Sequence, residues 1–227
     1  MKNKYSLPGF LKVTAIPKLA WTSPRPLTLR PPLISFIMLV TGQILFGLGE
    51  AMLIAAGAGV SPWTVFAQGL AFHTGMTIGQ TTFFISTFVL LFWIPLRQMP
   101  GMGTVLNIII IALVLDFSLP YLPIFEATSL KVMQAAAGVF ITGFGGAIYL
   151  IANLGPGPRD GLMTGIQRHT GFPIAAVRSG IEISVVAIGW SLGGVVGIGT
   201  VLFAFGIGPC LALCLSLLRA VFAPRTE

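Results

Sequence analysis

Two stretches of the chain read GAGVSPWTVFAQGLAFHTG, residues 57–75, and NLGPGPRDGLMTGIQRHTG, residues 153–171. Each begins with a glycine- and proline-rich break and ends in the tripeptide His-Thr-Gly. Proline suits the first position of a helix, where its missing N–H would be unpaired anyway, and glycine suits the left-handed residue that ends one. The pattern therefore predicts two short helices, residues 62–74 and 158–170, each ended by the glycine of its tripeptide.

The composition predicts an integral membrane protein. Of the 227 residues 55% are hydrophobic and only 8% are charged, which is too little charge to cover a water-facing surface. A crossing needs about 20 apolar residues, so the two short helices cannot span the bilayer. The long apolar runs that can do so are residues 33–55, 78–96, 104–122, 131–152, 174–192 and 200–219.

The two tripeptides also indicate an internal duplication. His73 and His169 are the only histidines and stand 96 positions apart. The same offset aligns Pro62 with Pro158, and it places GMGT, beginning at residue 101, on GIGT further along the chain. A constant offset over such a distance is the signature of a repeat. Each half then contains a long helix, a break, a short helix, a span, a G-x-G-T turn and a second span.

We therefore predict an all-α polytopic protein with six transmembrane helices and two short re-entrant half-helices, arranged as an inverted internal repeat (3+3). The first membrane repeat is 33–123 and the second is 131–220. A basic, proline-rich cytoplasmic tail, 1–32, precedes them. Both termini are expected in the cytoplasm, because the connections that then lie outside contain no lysine or arginine. These connections are 56–77, 123–130 and 193–199.

Interrupted hydrophobic segments at matching places in two inverted halves are typical of a transport site. The residues expected to bind or gate the solute there are Ser61, Trp63, Thr64, Arg159 and Asp160. The start of each short helix also offers unpaired N–H groups and a partial positive charge, which suits an anion or another polar ligand. The alternative reading is that these residues are helix caps and interface anchors.

Four charged residues lie inside apolar runs. Arg178 and Glu182 stand four apart on one helix face, and intramembrane charges of this kind line a cavity or the bundle interior. We assign them to substrate binding or gating; a self-neutralising structural pair is the alternative. Glu50 is the candidate for proton coupling; an acid near the outer interface with a local partner is the alternative. Asp116 is either a second such carboxylate or an acid near the outer interface with a local partner.

The sequence indicates no metal site and no cofactor. His73 and His169 stand at the ends of two half-helices that are expected in different places, which argues against a shared metal site and favours packing or hydrogen bonding there, with protonation-linked gating as the alternative. Cys210 and Cys214, one turn apart, are expected to be packing residues. No nucleotide-binding or common hydrolase motif is present, so we do not expect an enzyme. The net charge of +7 lies largely outside the spans, so nucleic-acid binding is not expected.

The chain resembles the YitT/YczE-like family of bacterial integral membrane proteins from about residue 35 to 219. The motifs that carry the resemblance are GAGVSPW, TGMTIGQ, NLGPGPRDGLMTG, HTGFPI, VRSGIE and WSLGGVVGIGT. Pro156 departs from the small residue expected in LGxGPRDG. The resemblance implies a multi-pass protein of the bacterial inner membrane, but it implies no particular substrate.

We therefore expect a transporter or channel for a small polar or anionic solute, with its site between the two breaks near the bilayer midplane. The alternative is a non-transporting accessory protein that anchors or assists an enzyme or complex. The expected partners are the lipid bilayer and the solute, and a homo-oligomer is compatible with the sequence.

Overall fold

The computed structural model describes residues 16–223. This part of the chain contains eight α-helices, and the two predicted short helices have the predicted bounds. The helices are α1 Leu33–Ala56, α2 Pro62–Thr74, α3 Ile78–Leu91, α4 Met102–Ser118, α5 Thr128–Ala152, α6 Pro158–Thr170, α7 Ile174–Ser191 and α8 Ile198–Phe222, and a short 3₁₀ helix, Leu119–Tyr121, follows α4. The protein is all-α, as predicted.

Five of the described helices are long and apolar enough to cross a membrane. These are α1, α4 with its 3₁₀ extension, α5, α7 and α8; α2 and α3, bent by 113° at their junction, bring the number to six when they are taken together as one span. Large apolar side chains such as Phe88 and Phe205 are exposed on the outer surface of the helices. The chain is therefore a polytopic membrane protein with five to six candidate spans.

The predicted span at 78–96 is an α-helix only in its first part. Helix α3 has 14 residues and covers about 21 Å at helical rise, which is less than the hydrocarbon core. Beyond it the chain continues in consecutive turns to Arg97, whose φ is 50°. The Trp93 indole N–H donates to the carbonyl oxygen of Pro158 at 3.0 Å, and this buried bond holds the turn against the start of α6. Pro95 also removes a backbone donor from this segment.

Helices α1 and α5 form an antiparallel central pair whose backbones approach closely. A Cβ on Gly42 would lie 2.7 Å from the Gly145 carbonyl oxygen, and one on Gly138 would lie 2.7 Å from that of Gly49. Where lipid surrounds a protein, small residues that allow such approach provide much of the helix packing. This pair forms the centre of the bundle, with α4 against α1 and α8 against α5.

Each glycine-rich break rests on the start of a helix from the other part of the chain. The Gly199 N–H donates to the Ala58 carbonyl oxygen at 2.7 Å, and the Gly103 N–H donates to the Leu154 carbonyl oxygen at 2.7 Å. Both donors belong to G-x-G-T sequences. Gly155, with φ at 113°, packs against the start of α4, where a side chain would not fit. The prediction that G-x-G-T marks a turn of close backbone packing is confirmed.

Part of the predicted N-terminal tail is attached to the bundle. The Ser23 N–H donates to the Ala152 carbonyl oxygen at 3.1 Å, and the Asn153 amide donates to the Ser23 carbonyl oxygen at 2.9 Å. Leu19 and Trp21 are buried against α5 and α8. These residues cap the end of α5, a contact that the sequence did not predict; residues 1–15 lie outside the described part of the chain.

Candidate functional site

A cavity of about 160 Å³ lies where the first turns of α2 and α6 approach each other. Trp63 stands in the first turn of α2 and Arg159 in that of α6. The Arg159 guanidinium carbon lies 5.1 Å from the centre of the Trp63 ring, which is cation–π contact distance. The structure thus brings the two breaks together through one aromatic and one cationic side chain.

Many residues that line the cavity lie 96 positions apart in the sequence. Twelve lining residues fall into six pairs with the 96-residue spacing found in the sequence. The pairs are Phe46 and Thr142, Trp63 and Arg159, Thr82 and Arg178, Ser86 and Glu182, Asn107 and Phe203, and Ile111 and Ile207. Both halves therefore contribute to one site.

Helix α7 supplies an ion pair to the lining. The Arg178 Nε lies 2.8 Å from the Glu182 Oε1, and the two side chains are 39% and 15% exposed. The predicted pairing on one helix face is confirmed. The matching positions of α3 are Thr82 and Ser86, so uncharged hydroxyls line the cavity from the first half.

Helix α6 supplies a second pair of charges, which do not neutralise each other directly. The Tyr149 hydroxyl donates to the Asp160 Oδ2 at 2.8 Å. Arg159, by contrast, has no carboxylate within 4 Å among residues 16–223. Its guanidinium, stacked on Trp63, is therefore available to a bound group with acceptor oxygens.

Three buried polar groups at the cavity have no hydrogen-bond partner within the described residues. They are the Trp63 indole N–H and the hydroxyls of Thr82 and Thr142. Buried polar groups are normally hydrogen-bonded, so these three point to a bound solute or to water.

Three predicted site residues form a separate cluster. Glu50 is 2% exposed, and its Oε2 accepts hydroxyl hydrogen bonds from Ser61 and Thr64, each at 2.7 Å. This cluster joins α1 to the start of α2 and does not line the cavity. At the positions matching Glu50 and Ser61, the second half has Gly146 and Gly157, which do line the cavity. Because these glycines have no side chains, the cavity extends into the second half.

Asp116 has a local partner, which agrees with the second of the two alternatives that the sequence left open for it. Its carboxylate accepts the Thr77 hydroxyl and, at 2.9 Å, the Gly79 N–H, and so fastens the end of α4 to the start of α3. Ala212 occupies the matching position of α8 and has no carboxylate for such a bond. Helix α7 accordingly packs mainly on α2 and α6, and it contacts α8 far less than α3 contacts α4.

The histidines and cysteines do not line the cavity. His73 and His169 are exposed in the last turns of α2 and α6, followed by Gly75 and Gly171 with φ of 70° and 72°. The predicted glycine stops are confirmed. Within residues 16–223 no three His, Cys, Asp or Glu side chains are placed to hold a metal ion. The free thiol Cys210 packs where α8 meets α5.

Sequence reasoning missed several lining residues, among them Tyr149, Asn107 and Thr142. The signal for Thr82 and Ser86 was available, since both lie 96 positions before a charged residue that was predicted. Tyr149 and Asn107 carry no comparable signal, because single polar residues within apolar runs are common at helix contacts.

A second, apolar groove of about 840 Å³ lies between α2, α3 and α7. Its lining is almost entirely hydrocarbon, with Phe88 on one side and Ile181 on the other. Trp63 lines both this groove and the polar cavity, so its ring separates the two spaces.

The fold and the site define a polytopic α-helical membrane protein with a charged internal cavity. Residues 33–216 match a family described as a family of unknown function (DUF6198), and the chain belongs to that family. It is 41% identical over 207 residues to an uncharacterized protein of Haemophilus influenzae, covering 91% of this chain and 94% of the relative. It is 34% identical over 191 residues to the uncharacterized membrane protein YczE of Bacillus subtilis, covering 82% and 89%. The resemblance to YczE-like proteins is thus confirmed. No solved structure matches the chain.

Proposed function

We propose that this protein is an integral membrane transporter or channel that passes a small polar or anionic solute through the cavity between α2 and α6. The observation that carries the proposal is the set of ionisable side chains lining one internal space. Arg159, Asp160, Arg178 and Glu182 all line it. Charges at membrane depth are costly, and proteins that keep them generally use them on a solute or ion pathway.

The proposed architecture has six spans and two re-entrant half-helices in an inverted repeat. Two pairs of hydrogen-bonded residues support this arrangement. Gly199 donates to Ala58, and Gly103 donates to Leu154. Leu154 lies 96 positions after Ala58, and Gly103 lies 96 positions before Gly199, so the 96-residue offset converts one bond into the other. Such an exchange is expected of halves related by a two-fold axis in the membrane plane. Helix α3 and the turns after it together form one proposed span.

We propose a bacterial inner-membrane location with both termini in the cytoplasm. The start of α1 and the ends of α5 and α8 lie at one end of the bundle, with the attached segment around Trp21. The basic residues outside the long spans belong to segments at this end. The positive-inside rule places such residues on the cytoplasmic side, so we assign this end to the cytoplasm. Cysteine labelling at position 97, in a background with Cys210 and Cys214 changed to alanine, tests the topology. Labelling from outside the cell would contradict it.

The transport test is uptake by proteoliposomes across a panel of polar and anionic solutes. Removing a charged donor or acceptor costs about 1.5–3 kcal/mol, which is about tenfold or more in affinity. We therefore expect Arg159→Ala and Glu182→Gln to lower uptake at limiting solute by about tenfold or more. Arg168→Ala and Glu126→Gln are matched controls, because both residues are exposed and neither lines the cavity.

An accessory role makes the opposite prediction for the same variants. If no solute moves, and both cavity variants fully rescue a deletion phenotype, the cavity charges are not needed and the transport proposal is wrong. A loss of rescue in the cavity variants alone, together with measurable uptake by the wild type, supports transport.

A further inference from the structure

We propose that the ligand of the cavity between α2 and α6 is a small zwitterion, a molecule with one carboxylate and one ammonium group and no net charge. The inference concerns what the cavity binds. It rests on the proposed function only in treating that ligand as the transported solute.

The first argument is charge balance. The ionisable side chains that line the cavity are Arg159 and Arg178, with positive charge, and Asp160 and Glu182, with negative charge. Their formal charges cancel. A ligand with a net charge would leave that charge without a counter-charge in the lining. A zwitterion brings both signs and leaves the balance unchanged.

The second argument is that each sign keeps unused bonding capacity. Arg178 uses its Nε for Glu182, which leaves both terminal nitrogens, and Arg159 has no carboxylate within 4 Å in the described chain. A guanidinium has five N–H donors in a planar fork that matches a carboxylate. The arginines therefore provide the side that binds a ligand carboxylate.

The two acids provide acceptor oxygens for the ligand ammonium. Asp160 accepts the Tyr149 hydroxyl at Oδ2, and Glu182 accepts Arg178 at Oε1. Within residues 16–223 the second oxygen of each carboxylate has no hydrogen-bond partner. An ammonium group has three donors and no acceptor, so it can bond to these oxygens and to the free hydroxyl of Thr142.

Glu50 does not alter this balance at the ligand. It does not line the cavity, and the hydroxyls of Ser61 and Thr64 both donate to its Oε2 at 2.7 Å. The start of α2 adds the positive end of a helix dipole. Its Oε1 has no hydrogen-bond partner among residues 16–223, but Glu50 does not line the cavity, so its carboxylate makes no contact with the ligand.

The size and the remaining lining limit the ligand further. The cavity volume of about 160 Å³ equals about five water molecules at about 30 Å³ each. Phe46, Ile111 and Phe203 contribute apolar side chains to the lining. A zwitterion with a short hydrocarbon side chain, of the size of a small amino acid, fits both properties.

Binding of matched ligands to the purified protein tests the inference. Each set contains a zwitterion, an acid with only the carboxylate and an amine with only the ammonium group. One set is L-alanine, propionate and ethylamine, and the other is L-valine, isovalerate and isobutylamine. Binding is measured by equilibrium dialysis and by the rise in melting temperature. We expect the zwitterion of at least one set to bind about tenfold or more tightly than its matched acid and amine. The reason is that the acid and the amine each lack at least one charge-assisted hydrogen bond that the zwitterion makes.

Charge variants sharpen the test. Arg159→Gln makes the lining sum negative, so the preference should move toward the amine, whereas Asp160→Asn makes it positive and should move the preference toward the carboxylate. Arg168→Gln and Glu126→Gln change the total charge equally, but neither residue lines the cavity, so both should keep the wild-type order.

The outcomes separate this inference from the transport proposal. It is overturned if the matched acid binds as tightly as the zwitterion, if no member of either set binds, or if the two cavity variants keep the wild-type order. Zwitterion binding without uptake supports the inference and counts against transport. Uptake of an anion without zwitterion binding does the reverse.

Discussion

The close approach of α1 and α5 predicts that one added methyl group will destabilise the protein. In Gly49→Ala the new Cβ would lie 2.5 Å from the Thr142 backbone nitrogen and 2.6 Å from the Gly138 carbonyl oxygen. Optimal contacts are about 3.5–4.0 Å, so the helices must separate by about 1 Å. Overpacking of this kind costs about 1–3 kcal/mol, and alanine returns about 0.5–1 kcal/mol through its better helix propensity. A net loss of about 1–2 kcal/mol is expected.

At about 2–4 °C per kcal/mol for a chain of this size, the melting temperature should fall by about 2–8 °C. The measurement is thermal unfolding of the purified protein in detergent. Gly180→Ala is the matched control, since its Cβ would meet nothing within 4 Å. Gly145→Ala, at the position matching Gly49, should lose as much, because its Cβ would lie 2.5 Å from the Gly42 carbonyl oxygen. A Gly49→Ala protein that melts at or above Gly180→Ala would refute the described helix approach.

Three further predictions concern side chains outside the cavity. Asp116→Ala removes the acceptor of two hydrogen bonds at the start of α3 and should lower the free energy of unfolding by about 1–3 kcal/mol. Amide hydrogen exchange should become faster at the first residues of α3, and an unchanged rate there would contradict these bonds. Ser61→Ala removes one of two hydroxyl donors to the buried Glu50 and should cost about 1–3 kcal/mol in detergent unfolding, whereas a neutral result would mean that this bond contributes little. Changing both His73 and His169 to alanine should alter stability by less than about 0.5 kcal/mol, because both are exposed, and a large loss would contradict their placement at solvent-exposed helix ends.

The fold could be predicted where a local rule decides it. The bounds of α2 and α6 follow from proline at the first helical position and glycine after the last, and both rules depend on the backbone of single residues. The end of α3 at Leu91 also has a local signal, since Pro95 has no N–H to bond to the Leu91 carbonyl oxygen. The tertiary contact beside it could not be predicted, because the Trp93 indole bonds to Pro158, 65 residues away in sequence.

The candidate site divides in the same manner. Arg178 and Glu182 could be recognised because intramembrane charge four residues apart is rare without a purpose. The separation of Glu50 from the cavity could not, since it depends on two hydroxyls that bond to its carboxylate. The buried packing of Trp21 was also missed, because a proline-rich basic segment gives no periodic signal for the partner it contacts.

The exchanged contacts of the two breaks have a consequence for the origin of the chain. Ala58 accepts from Gly199 and Leu154 accepts from Gly103, so neither half supplies the support for its own break. In the proposed inverted repeat, a half made alone would have to find that support in a second copy inserted in the opposite orientation. An ancestor of one repeat would then have needed to enter the membrane in both orientations and pair with itself. Joining two copies in one chain removes that requirement and lets each copy change separately. The glutamate at position 50 and the glycine at position 146 are a difference of the kind that such separate change allows.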